Sequence, residues 1–66
     1  MQQAPLLLTV PQAAQRLNVP RSTTYEIVRS GHLRAIRIPA GQGKALRVPV
    51  SELERFIADR LEKAEQ

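Results

Sequence analysis

Three features of the 66-residue sequence predict a small α+β domain, mainly helical, built from three short helices and a two-stranded β-hairpin. Two apolar stripes of helical spacing stand in the first half, separated by an asparagine and a proline. The period then falls to two on either side of a glycine-containing loop, and helical spacing returns after Ser51. A chain this short forms one domain and buries only about 60% of its unfolded surface, which leaves little interior for an enclosed active site. The reading is therefore a protein that is not an enzyme.

Thr9 opens the first helix. It stands as N-cap before Pro11, whose missing N–H costs nothing in a first turn, and Gln12 completes a T-x-x-Q capping box. Ala13, Ala14 and Leu17 form the buried stripe, and Asn18 is suited to the left-handed conformation that ends a helix. Val19-Pro20 then forces a turn, because the residue before a proline is pushed toward extended geometry.

The second helix runs from Pro20 or Arg21 to Arg29 and closes at Ser30-Gly31. Thr24, Ile27 and Val28 take its core positions, leaving Arg21, Ser22, Tyr25, Glu26 and Arg29 outward. Two helices joined by so short a proline-containing turn cross steeply, which is helix-turn-helix geometry.

Past His32-Leu33, Ile36 and Ile38 alternate with Arg37, and Leu46 and Val48 alternate with Arg47. The loop between, Pro39 to Lys44, carries Gly41 and Gly43, which permit positive φ. With both aliphatic pairs inward, one register sets Ile38 opposite Leu46, Ile36 opposite Val48 and Arg37 opposite Arg47. Ser51 caps the last helix in a second capping box with Glu54, and Leu53, Phe56, Ile57 and Leu61 form its stripe. Asp59 and Lys63 are spaced for an i,i+4 pair. Residues 1–5 read as a disordered N-terminus, 6–61 as the domain and 62–66 as a fraying tail.

The formal charge of +4 divides unevenly. Residues 1–50 hold seven bases, six of them arginine, against the single acid Glu26, a net of +6. Residues 51–66 hold three bases against five acids, a net of −2. A polyanion partner faces the first fifty residues, and the arginine fork suits phosphate oxygens and guanine edges. Cysteine is absent and His32 is the only histidine, so neither a disulfide nor a metal site is expected, and no cofactor is. Gln42-Gly43-Lys44 lacks the spacing of a nucleotide-binding P-loop. No apolar run reaches the roughly 18 residues of a membrane span, and Leu6-Leu7-Leu8 lacks the flanks of a signal peptide; the expected location is the cytoplasm, at the nucleoid.

The order helix, turn, helix, basic glycine-containing hairpin, helix is that of a winged helix-turn-helix. The stretch LLTVPQAAQRLNVPRSTTYEIVRSGHLRAIRIPAGQGKALRVPVSELERFI resembles the small excisionase and MerR-like DNA-binding family, whose members read T-x-x-E-A-A-x-x-L-x-V-S-x-S-T-V-Y, then I-x-x-G-x-L-x-A-x-x-I, a glycine-rich wing and R-x-x-x-x-D-L-x-x-F. The match spans Leu7 to Ile57. Each feature is common, but their order and spacing together are specific. This sequence departs from the pattern at Pro20, where a capping Ser or Thr is usual, at Thr24, where an aliphatic is usual, and at Arg34, where proline is frequent.

The resemblance implies a recognition helix in the major groove bearing Arg21, Ser22, Thr23, Tyr25, Glu26 and Arg29, and a wing on the adjacent minor groove bearing Arg37, Gly41, Gln42, Gly43, Lys44 and Arg47. It further implies a recombination directionality factor of a phage or mobile element. Such a protein binds and bends attachment-site double-stranded DNA, associates cooperatively with copies of itself, and directs an integrase toward excision. A small transcriptional regulator on the same fold, and a protein-interaction adapter in phage assembly, are the alternatives.

Overall fold

The computed structural model describes residues 6–64. Chain order is β1 (Leu7–Leu8), α1 (Val10–Leu17), α2 (Arg21–Arg29), β2 (Ile36–Ala40), β3 (Gly43–Pro49) and α3 (Val50–Ala64). The expected three helices and hairpin are present. The expected N-terminal segment, residues 1–5, and the last two residues of the expected tail lie outside the described residues.

The capping box of α1 forms as its sequence requires. Gln12 N–H donates to Thr9 Oγ1 at 3.2 Å and Thr9 N–H to Gln12 Oε1 at 2.9 Å. Asn18 takes φ 58°, ψ 45°, and Val19 N–H reaches the Ala14 carbonyl at 3.1 Å, the six-to-one bond of a Schellman ending. In α2 no side chain caps the N-terminus, because Pro20 stands at the cap. Thr24, fully buried, anchors that end instead: its N–H and its hydroxyl both donate to the Pro20 carbonyl, at 3.2 and 3.3 Å. The hydroxyl that replaces the usual aliphatic is thereby satisfied.

Leu8, Ala13, Leu33, Val48 and Leu53 form the core, with Leu17, Ile27, Val28, Ala35, Val50 and Phe56 packed around it. Every element supplies at least one of these residues except β2, whose Ile36 is 43% exposed. The hairpin therefore projects from the body on β3.

Several expectations need correction. The sheet has three antiparallel strands in the order β1-β3-β2, not two. Leu7 and Leu8 pair with Pro49 and Val48, and the Leu6 carbonyl accepts from Val50 N–H at 2.9 Å. A two-residue strand is too short to show an alternating pattern. The hairpin register is offset by one residue from the expected one: Ile36 faces Arg47, Arg37 faces Leu46 and Ile38 faces Ala45. The turn sets it. Ala40 pairs with Gly43, so the loop is the two residues Gly41-Gln42, and only Gly41 has positive φ, 60°, as a type II′ turn requires. Gly43 is an ordinary strand residue. A one-residue offset moves a strand's side chains to the opposite face, so Ile36 and Ile38 do not share a face with Leu46 and Val48.

The last helix also differs. Ser51 lies inside α3, which begins at Val50 directly from β3, so Ser51 is not its cap. Leu53 is buried and Phe56 packs on the core, but Ile57 is 44% and Leu61 61% exposed. Fifteen residues of helix extend about 22 Å, and the core of so short a chain covers only the first turns. The apolar stripe runs on past the end of what it packs against. The Asp59–Lys63 ion pair forms at 3.3 Å, and the Arg60 guanidinium lies 5.2 Å from the Phe56 ring centre.

Candidate nucleic-acid interface

Because Thr24, Ile27 and Val28 turn inward, the opposite face of α2 is fixed. Arg21, Ser22, Tyr25, Glu26 and Arg29 are exposed on it, and Thr23 is half-buried at its margin. The helix ends where Gly31, at φ 87°, lets His32 N–H and Leu33 N–H return to the Ile27 carbonyl at 3.2 and 3.3 Å. The exposed Ser30 and His32 are joined by a 2.7 Å contact between Oγ and Nδ1, and Ser30 Oγ donates to the Ile27 carbonyl at 2.9 Å. This closed end sends the chain through buried Leu33 into β2 and so fixes the hairpin beside α2.

At the hairpin tip Gly41, Gln42, Gly43 and Lys44 are all exposed. A Cβ at Gly41 or Gly43 would meet nothing within 4 Å, so the tip offers an open surface. The register separates the two wing arginines that the sequence paired. Directly opposed residues share a face, so Arg37 lies with Leu46 on the side toward α2, whereas Arg47 lies with Ile36 on the other side. Arg47 is half-buried and its Nη1 donates to the Leu46 carbonyl at 2.9 Å. Arg37 and Arg47, placed opposite each other by the expected register, are therefore not a directly opposed like-charge pair.

Tyr25, Val28 and Arg29 of α2 meet Arg37 of β2 and Leu46 of β3 around one cleft. The structure thus brings three of the expected site residues, Tyr25, Arg29 and Arg37, to a common point. Val28 and Leu46, which the sequence reads as inward-facing, line the cleft too. A two-residue turn with glycine at its first position was the sequence signal that would have placed Leu46 beside Arg37.

Electrostatically the face is unbalanced. Among the described residues the one ion pair within 4.0 Å is Asp59–Lys63 on α3, so none of the arginines on α2 or the hairpin is held by an acid. Glu26 is not paired with Arg29 either. Among the described residues no group of three or more His, Cys, Asp or Glu side chains is placed to hold a metal ion.

A helix-turn-helix domain model matches residues 7–61. An excisionase of Streptomyces ambofaciens is 42% identical over 60 residues, covering 91% of this chain and 90% of that protein. The chain belongs to the excisionase family of helix-turn-helix proteins. A probable excisionase of Saccharopolyspora erythraea is 36% identical over 53 residues, which cover 80% of this chain but half of that longer protein. No solved structure matches. The match extends through α2 and the hairpin and well into α3. Among the described residues no helix is long and apolar enough to cross a membrane.

Proposed function

We propose that this protein acts without catalysis, as an excisionase that binds attachment-site DNA, bends it and directs an integrase toward excision. The observation that carries the reading is the cluster of exposed arginines, unpaired with acids, on the outward face of α2 and on the hairpin beside it. In the major groove, Arg21 and Arg29 read guanine or hold phosphate, and Ser22 and Thr23 meet phosphate oxygens at the uncapped start of α2. Tyr25 contacts the backbone. Glu26 accepts from a cytosine amino group, the one base-edge donor that tolerates an acid there. The tip residues Gly41, Gln42, Gly43 and Lys44 follow the adjacent minor groove, with Arg37 and Arg47 on the two faces of the hairpin behind them.

A single module of this kind buries about 600–1,000 Å² on DNA, so one copy binds weakly and neighbouring copies bind cooperatively. The setting is the cytoplasm, at the nucleoid. The test is a footprint on DNA flanking an integrase gene, combined with a salt titration. Neutralising about five phosphates gives a slope of log K against log salt near −4.5, and a flat response removes the DNA reading. A footprint at a promoter and none at an attachment site supports a transcriptional regulator instead.

A further inference from the structure

The cleft between α2 and the hairpin, about 230 Å³, has Tyr25, Arg29 and Arg37 among its lining residues together with the aliphatic Val28 and Leu46. No carboxylate lines it, and among the described residues neither arginine has an acid within 4.0 Å. Two guanidiniums at one narrow cleft repel each other unless an anion lies between them. The volume falls below the roughly 300–1,000 Å³ of small-molecule pockets, so it suits one anionic group and not a whole nucleotide. A planar guanidinium matches phosphate oxygens two at a time, and a phenol adds a neutral donor.

We propose that this cleft grips a single phosphodiester of the DNA backbone, held from α2 by Arg29 and Tyr25 and from β2 by Arg37. The site rests on the DNA-binding reading and adds to it a shared phosphate, at the point where the strand passes from the groove filled by α2 to the groove beside the hairpin. The register decides which wing arginine takes part. Arg37 faces α2 and lines the cleft, whereas Arg47 is turned to the far side of the ladder. A second cleft of about 290 Å³ provides the contrast. Arg34 and Arg55 line it together with Glu52 and Asp59, so its two bases are offset by two acids and it offers no net attraction to an anion.

Salt titrations of duplex binding, read by fluorescence anisotropy, test the proposal with the full chain and a short duplex of mixed sequence. Wild type is compared with Arg29→Gln, Arg37→Gln, the double variant and Arg55→Gln, which removes an equal charge from α3. Each neutralised phosphate contributes about 0.9 to the slope, so loss of one shared phosphate lowers the slope of the double variant by about 0.9. Arg55→Gln leaves the slope at the wild-type value. A double-variant loss near about 1.8 means two separate phosphates and overturns the proposal. An unchanged slope in the double variant, with wild type still binding, also overturns it while leaving the DNA reading intact. If wild type itself shows no salt-dependent binding, the DNA reading fails and the shared phosphate with it. Melting curves check that the variants are folded; both arginines are exposed, so the melting temperature does not drop.

Discussion

Helices α2 and α3 both close onto the same core, yet they present different chemistry to solvent. Outward from Thr24 and Ile27, α2 shows Arg21, Tyr25, Glu26 and Arg29, with its arginines unpaired. Outward from Leu53, α3 shows Glu54, Asp59 and Glu62, ties Lys63 to Asp59, and lays Arg60 over the ring of Phe56. On α3 one ion pair and one cation–π contact form within the helix, whereas no α2 arginine has an acid within 4.0 Å among the described residues. The net charge of +4 therefore says less than its division between the two regions.

The same comparison runs along α3. Leu53→Ala should cost about 2–5 kcal/mol, because it opens a cavity in the core. Whole-domain stability for a chain of this size is about 3–10 kcal/mol, so this variant approaches global unfolding in a urea titration. Leu61→Ala, about three turns from the start of the helix and mostly exposed, should stay within about 0.5 kcal/mol. A large effect at Leu61 would mean that the end of α3 is buried in solution.

On DNA the contrast reverses. Arg21→Ala should weaken a specific site by about 1–3 kcal/mol with stability unchanged, and Lys44→Ala should weaken all sequences alike. Glu54→Gln on α3 should leave affinity nearly unaltered. Equal effects of Arg21→Ala and Lys44→Ala on specificity would erase the division between helix and wing.

Within the wing, Gly41→Ala should destabilise by about 1–2 kcal/mol because its φ of 60° strains an L residue. Gly43→Ala is free of that strain and meets no neighbour within 4 Å, so its melting temperature should stay near wild type. The smallest effect separates two helix starts. Thr9→Ala removes an observed cap and should cost about 1 kcal/mol, while Ser51→Ala removes none and should be close to neutral.

The helices were legible where local chemistry alone sets them. Thr9, Gln12 and Asn18 bound α1 by short-range hydrogen bonds, and the inward set of α2 follows from its period. What sequence missed depends on contacts across the chain. Leu7-Leu8 becomes a strand only because β3 offers an edge, and α3 starts at Val50 because β3 runs straight into it. The register hung on a choice of turn: inward alternation of four aliphatics argued for one pairing, and the two-residue loop at Gly41-Gln42 imposed another. That single offset placed Arg37, and not Arg47, beside Arg29. The outward face of α2 was readable from the sequence; which of its residues share a cleft with the hairpin was not.

An amide NMR titration of the full chain with duplex DNA tests the central claim most directly. The largest shifts should fall on Arg21–Arg29 and on the hairpin from Arg37 to Lys44, while Glu54–Ala64 of α3 moves little. Shifts concentrated on α3, with α2 and the hairpin unmoved, would contradict it.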